Sequence, residues 1–192
     1  MAEFTQKLMN WTLDFEGRVY ENVPNDPGGP TKWGITEQDM IEAQGEGMGS
    51  VDFNHDGKVD ADDVMAMPPE FIERRYCAKY WCSRNLSAIN STIIAQKVFD
   101  LGVNMGLVGS TKVVQRALVS IGFVLGVDGH LGPQSIAAIN KGSDGEVACK
   151  TLLDAICNEA EKHYLAIVAA KPTSQKFLKG WLRRAHAIPP GV

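Results

Sequence analysis

The chain opens on two informative runs, Leu13-Asp14-Phe15-Glu16-Gly17-Arg18-Val19-Tyr20 and Asn25-Asp26-Pro27-Gly28-Gly29-Pro30-Thr31-Lys32-Trp33-Gly34-Ile35-Thr36. Apolar residues precede Glu16, and glycine commonly ends a helix in a left-handed conformation, so we predict a helix that ends at Gly17. The second run is rich in proline and glycine, which predicts a turn that leaves Asp26 partly solvated. Together the runs predict a helix followed by a tight turn, with a carboxylate in each and a hydroxyl at Thr31.

These side chains suit the cleavage of a glycosidic bond. That reaction uses one carboxylic acid kept protonated by apolar neighbours and a second carboxylate kept ionised in a wetter place. We predict that Glu16 is the acid, that Asp26 is the second carboxylate and that Thr31 orients an attacking water. The structural alternatives are that Glu16 is a surface charge, that Asp26 is an ordinary turn residue and that Thr31 makes only a local hydrogen bond.

The order of glutamate, aspartate and threonine at this spacing resembles the catalytic triad of phage-type lysozymes. The wider pattern of Glu-Gly, Asn-Asp-Pro, Pro-Gly-Gly, Thr and Gly-Ile-Thr is similar to glycoside hydrolase family 108, phage and bacterial N-acetylmuramidases that act as endolysins. The resemblance implies a mostly α-helical, lysozyme-like single compact domain. It also implies hydrolysis of the β-1,4 bond between N-acetylmuramic acid and N-acetylglucosamine in peptidoglycan, with no cofactor for catalysis.

Two other functions stay open. A lytic transglycosylase works with a single glutamate because a hydroxyl of the sugar attacks instead of water, whereas Asp26 and Thr31 favour water. A non-catalytic, calcium-stabilised protein that binds peptidoglycan would use Glu16 only structurally.

Residues 52–63 follow the twelve-residue EF-hand calcium loop, with oxygen ligands at positions 1, 3 and 5 and Gly57 at the sharp turn. Position 12 is aspartate rather than glutamate, which resembles dockerin-type loops. We therefore predict one structural calcium ion, and an acidic surface loop without an ion is the alternative. The predicted ligands are Asp52, Asn54, Asp56, the carbonyl of Lys58, Asp60 and Asp63.

The chain has 192 residues, enough for one good core or two small ones, and lacks a Ser/Gly linker between its halves. We predict one body over 1–192. Its parts are a catalytic part at 1–44, a calcium-binding insertion at 45–69 that ends at Pro68-Pro69, and a helical part at 70–192.

The helical part carries two stretches that resemble the family. Asp100 and Asn104 match its Phe-Asp-x-x-x-Asn stretch, which implies substrate binding, although hydrogen bonding in the core explains them nearly as well. The run from Asp128 to Pro133, Asp-Gly-x-x-Gly-Pro, looks like the signature of peptidoglycan-binding modules. Its alternative interpretation is a tight bend at Gly129 followed by a helix that starts at Pro133.

Charge is distributed unevenly. The stretch from Lys162 to the carboxyl end has six lysines and arginines and no acidic residue, and apolar residues recur there at helical spacing. A basic amphipathic helix that contacts the anionic cell envelope is one interpretation, and a solvated face on a core helix is the other. The basic residues are Lys162, Lys171, Lys176, Lys179, Arg183 and Arg184.

The remaining expectations concern partners and location. We expect the glycan strand of peptidoglycan as partner, no nucleic acid, and a monomer. The amino terminus has neither a basic flank nor an apolar signal region. We therefore expect that the protein is made in the host cytoplasm and that its release to the periplasm or cell wall depends on a holin.

Overall fold

The computed structural model describes residues 2–16, 20–21 and 29–190, with only the backbone of Glu16 and Glu21. The described residues are mostly α-helical, as predicted. They form two compact units, divided between Lys79 and Tyr80. The amino-terminal unit runs from Met9 to Lys79, and the carboxy-terminal unit combines the residues before Met9 with those from Tyr80 onward.

The amino-terminal unit contains a small antiparallel sheet with strand order β1-β2-β3. Residues Thr31 and Glu21 face each other across β1 and β2, and Thr31 also faces Thr36 across β2 and β3. The elements of this unit are α1 (Gln6–Glu16), which begins before Met9, β1 (Tyr20–Glu21), β2 (Thr31–Lys32), β3 (Ile35–Thr36), α2 (Glu37–Gly45), α3 (Ala61–Ala66) and α4 (Pro69–Tyr76).

A two-residue hairpin joins β2 to β3. Trp33 and Gly34 both have positive φ values, 55° and 74°. The backbone twist of such a turn matches the right-handed twist of the two strands that it joins. Tryptophan rarely adopts this conformation, and here the hydroxyl of Tyr76 donates to the carbonyl of Trp33 at 2.7 Å. A contact from α4 therefore helps to hold the turn.

Local capping signals set the helix ends in this unit. Thr36 and Asp39 form a capping box at the start of α2. The loop before α3 ends in a second capping box, formed by Asp60 and Asp63, and α3 stops at Ala66 before the two prolines. The helix that follows the loop is therefore short, six residues from Ala61 to Ala66.

Polar contacts tie the sheet and the helices of this unit together. Lys32 Nζ donates to the carbonyls of Met65 (2.7 Å) and Met67 (2.8 Å) at the end of α3. Arg75 of α4 is almost fully buried and pairs with Glu46 (2.5 Å) and Glu42 (3.2 Å) of the α2 region. These contacts join β2 to α3 and α4 to α2.

The carboxy-terminal unit is a helical bundle in which α8 packs against α6 and α9, and α5 packs against α6. An aromatic cluster of Phe4, Trp81 and Phe99 fills part of its core, with ring centroids 5.6–6.0 Å apart in edge-to-face contacts. The helices are α5 (Thr92–Met105), α6 (Leu107–Ser120), α7 (Pro133–Gly142), α8 (Glu146–Ala170) and α9 (Gln175–His186). Among the described helices, none has both the length and the apolar character needed to cross a membrane.

Candidate functional site

The predicted acid, Glu16, is the last residue of α1. Only its backbone is described, and Asp26 lies outside the described residues. Residues 17–19 separate α1 from β1, and a fully extended chain spans at most about 3.6 Å per residue, so the Cα atoms of Glu16 and Tyr20 lie within about 14 Å. The end of α1 therefore lies within about 14 Å of the start of β1.

Thr31, the predicted water-orienting residue, begins β2 and is half-buried. Its backbone lies between those of Glu21 and Thr36 in the sheet. Strand pairing places it opposite the end of β1, which follows α1 after three residues. The sheet thereby brings Thr31 to the region of the chain that follows Glu16.

The calcium-like loop adopts several local features of its motif. Gly57 has a φ of +86°, the conformation required at the sharp turn. The carboxylate of Asp52 accepts from the backbone N–H groups of Asp56 (3.2 Å) and Gly57 (3.0 Å). These bonds wrap the backbone of the first half of the loop around the side chain at its first position.

Asp63, at position 12 of the loop, is fully buried and bonded to the backbone. Its Oδ1 accepts from the N–H groups of Phe53 (2.6 Å) and Asn54 (3.2 Å), and its Oδ2 accepts from Asp60 N–H (3.0 Å). Burial raises the pKa of Asp63, but these backbone hydrogen bonds outweigh it and hold the pKa below its usual value. An oxygen of a carboxylate has two acceptor positions, so only Oδ2 retains one for a metal ion.

The donor set of the loop consists of oxygens, which is the chemistry that calcium requires. Across the part of the chain that the structure describes, no group of three or more His, Cys, Asp and Glu side chains is arranged to hold a metal ion. A calcium ion in this loop would therefore be bound by the amide oxygen of Asn54 and the carbonyl oxygen of Lys58 in addition to carboxylates. The calcium site stays a prediction.

Asp100, predicted to bind substrate, lies in the core of the carboxy-terminal unit. It is fully buried, and Arg184 of α9 donates to its Oδ1 from Nη2 (2.9 Å) and from Nε (3.1 Å). The structure thus shows the core hydrogen bonding that was the alternative interpretation. The carboxylate of Asp100 joins α5 to α9.

Asn104 lies one turn further along α5 and is half-buried. Its Oδ1 accepts a hydrogen bond from the hydroxyl of Tyr164 in α8. Tyr164 in turn stacks on Trp181 of α9, with ring centroids 5.3 Å apart. Asn104 therefore takes part in the packing of α5, α8 and α9, and its proposed contact with substrate stays a prediction.

The Asp128–Pro133 turn forms the bend and helix start that its residues predict. Gly129 has a φ of +83°, and α7 begins at Pro133. Gln115 of α6 is buried beneath the turn, where its side chain donates to Asp128 Oδ1 (2.7 Å) and accepts from Gly129 N–H (2.9 Å). Together with the N–H of His130, Gln115 holds the pKa of Asp128 below its usual range.

A cavity of about 380 Å³ opens beside this turn. Asp128, His130, Gln134 and Ser135 line it with polar groups, and Gln115 forms part of its wall. Sequence reasoning missed Gln115, although a lone amide within the apolar run Val113-Val114-Gln115 was a usable signal. The turn is thus a rigid, polar rim that would suit a hydrophilic ligand.

The basic stretch at the carboxyl end forms α9, which exposes Lys176, Lys179 and Arg183. Phe177 is 49% exposed beside them, and the Lys176 ammonium lies 4.8 Å from its ring centroid. The assignment of Arg184 to this basic face is wrong, because Arg184 is buried against Asp100. The exposed face of α9 therefore carries fewer cations than the sequence indicated.

Comparison with known proteins agrees with the family resemblance. The family model of glycosyl hydrolase 108 matches residues 9–106, and the model described as a predicted peptidoglycan domain matches residues 109–186. The solved structure of SagA from Brucella abortus is similar to this chain, with a TM-score of 0.65 and 23% sequence identity. The match covers 93% of this chain and 87% of that chain, which shows a shared fold.

No curated protein matches the sequence significantly. The glycosyl hydrolase 108 match covers about half of the chain, including Glu16, Asp26 and Thr31, and the peptidoglycan domain accounts for most of the remainder. The chain therefore belongs to the glycosyl hydrolase 108 family, a family of glycoside hydrolases, and carries a peptidoglycan domain after its hydrolase segment.

Proposed function

We propose that this protein is a phage-type N-acetylmuramidase, an endolysin that hydrolyses the β-1,4 bond between N-acetylmuramic acid and N-acetylglucosamine. The observation that carries the proposal is the position of Glu16 at the end of α1, directly before the small sheet that contains Thr31. Both residues lie within the segment that matches the glycosyl hydrolase family.

In this mechanism Glu16 donates a proton to the oxygen that leaves the muramic acid residue. Trp11 and Phe15 form an edge-to-face aromatic pair on the last turns of α1, with ring centroids 5.3 Å apart, so apolar surface precedes the acid. Asp26 supplies the negative charge that stabilises the oxocarbenium-like transition state or activates water, and Thr31 orients that water.

The direct test replaces Glu16 by glutamine. The amide keeps the size of the side chain but cannot donate the required proton, so Glu16→Gln should lower peptidoglycan hydrolysis by about 10²-fold or more. Circular dichroism checks folding. The matched control is Glu70→Gln, the same change at an exposed glutamate in α4, which should keep the wild-type rate.

Masses of the digestion products separate the competing functions. Hydrolysis gives muropeptides with a free reducing end, whereas a lytic transglycosylase gives anhydro products. Strong binding to purified sacculi without release of fragments would identify a non-catalytic binding protein. Near-normal clearance of sacculi by Glu16→Gln would remove Glu16 from the role of acid.

The proposal includes one calcium ion in the 52–63 loop. Its ligands would come from Asp52, Asn54, Asp56, Asp60 and Asp63 and from the carbonyl of Lys58, and the buried position of Asp63 supports attachment of the loop to the core. When bound, the ion would stabilise the loop. It takes no part in the cleavage.

The proposal also includes attraction between α9 and the anionic cell envelope, supported by three exposed cations beside a half-exposed Phe177. Such attraction would concentrate the enzyme at its polymer substrate. The enzyme would act as a monomer on the wall after release from the host cytoplasm.

A further inference from the structure

Arg84 is a buried cation that makes no ion pair with any residue the structure describes. Only 7% of it is exposed, and its guanidinium donates to neutral oxygens: Thr111 Oγ1 (2.7 Å), Ser110 Oγ (3.2 Å) and the carbonyl of Val98 (3.4 Å). Burial lowers the pKa of Arg84 to about 10. Burying a charge without an opposite charge costs free energy, and an anion bound beside Arg84 would offset this cost.

The fold makes room for this guanidinium. Gly102 of α5 faces it so closely that a Cβ atom there would lie 2.7 Å from Arg84 Nη1. Neutral hydroxyls from α6 orient the group without neutralising it. The surroundings thus position a positive charge and leave it uncompensated within the described chain.

Arg84 lines a cavity of about 440 Å³ in the carboxy-terminal unit. The first turn of α7, including Pro133, Ile136 and Ala137, also lines this cavity. Pro133 has no amide hydrogen, and the N–H of Ile136 donates to the carbonyl of Gly132, so the surface that these residues add to the cavity is mainly apolar.

The cavity wall combines the two matched segments of the chain. Arg84 belongs to the glycosyl hydrolase segment, whereas α7 belongs to the peptidoglycan domain. Leu131 and Ile136 add apolar surface to the lining. A ligand that suits this cavity has a negatively charged group next to a small apolar group.

We propose that Arg84 and the cavity that it lines form a subsite for a carboxylate of the peptide stem of peptidoglycan. The peptide stem carries the carboxylates and short alkyl side chains of this polymer, because the lactyl carboxyl of a muramic acid that bears a stem is consumed in the amide bond to the peptide. The subsite rests on the proposed function, since it assumes that peptidoglycan is the polymer bound. It would let the full chain prefer glycan that still carries peptides.

The test measures binding of the full chain by calorimetry to two probes, a disaccharide tetrapeptide and the same disaccharide with a primary amide on its lactyl carboxyl in place of the peptide. The wild-type protein should bind the tetrapeptide at least about ten-fold more tightly, as expected for one charge-assisted contact. Arg84→Gln should remove this preference. Circular dichroism and the melting temperature check that the variant is folded.

A second pair of variants leaves the buried group untouched. Ala137 is exposed on α7 and lines the cavity, so Ala137→Glu adds a carboxylate at the cavity wall, whereas Ala137→Gln adds the same bulk without charge. The glutamate variant should weaken tetrapeptide binding several-fold more than the glutamine variant does. Equal effects would overturn the electrostatic part of the proposal.

Hydrolysis of peptide-free glycan strands separates this proposal from the proposed function. A wild-type protein that does not cleave them, and does not cleave intact sacculi, contradicts the proposed function. Cleavage of both, combined with equal affinity for the two probes or with an unaltered preference in Arg84→Gln, overturns the subsite alone. Sodium acetate is the third probe, and binding of acetate as tight as that of the tetrapeptide would overturn the assignment to peptide.

Discussion

Replacing Arg184 by methionine should strongly destabilise the carboxy-terminal unit. Methionine keeps most of the length and apolar surface of the arginine side chain but removes its charge. The fully buried carboxylate of Asp100 would then lose the donors at 2.9 and 3.1 Å that now neutralise it. This change isolates the contribution of the ion pair between α5 and α9.

Removing one partner of a buried ion pair typically costs about 3–5 kcal/mol, because the remaining charge is left uncompensated. The buried ammonium of Lys97 also attracts Asp100, and it donates to the carbonyls of Arg184, Ala185 and Ala187 at the end of α9. Lys97 offsets part of the loss, so we expect about 3 kcal/mol. For a chain of this size the melting temperature should fall by about 6–12 °C.

The assay is thermal and urea unfolding followed by circular dichroism. The matched control is Arg183→Met, the same substitution at the neighbouring exposed position of α9, which should change stability by about 0.5 kcal/mol or less. If the two variants had the same melting temperature, the argument for the buried pair would be refuted. The double variant Arg184→Met with Asp100→Leu should recover part of the stability, since it removes both charges.

Two further predictions concern the surface of the protein. Hydrolysis of sacculi should slow as ionic strength rises, because salt screens exposed charges beyond about 10 Å. Changing Lys176, Lys179 and Arg183 to glutamate should lower the rate most at low salt. Unchanged rates would show that the exposed face of α9 is only a solvated face. We expect a calcium dissociation constant on the order of 10⁻⁴ M, and a hundred-fold excess of calcium over it should raise the melting temperature by about 5–11 °C. Asp56→Ala should abolish this shift while hydrolysis continues. The absence of both calcium heat and a thermal shift would rule out the ion, and complete loss of hydrolysis on chelation of a folded protein would contradict its structural role.

The local structure around the strongest sequence signals is predictable from short runs of residues. Thr36 and Asp39 cap α2, and Pro133 starts α7, as their positions predict. Gly57 makes the expected turn in the loop. These features depend on the backbone conformation and hydrogen bonds of residues at most four positions apart, so a short run of sequence contains the information. The family resemblance was likewise carried by closely spaced residues.

The roles of the charged residues, in contrast, depend on how the helices pack together. Arg184 belongs to a basic stretch by sequence, yet it is buried against Asp100, 84 positions earlier in the chain. Arg84 gives no sequence signal at all, and its significance comes from the absence of a carboxylate partner among the described residues and from the cavity that it lines. Burial and the partners brought by packing determine the energy of a charge, and both arise from contacts between residues far apart in the sequence.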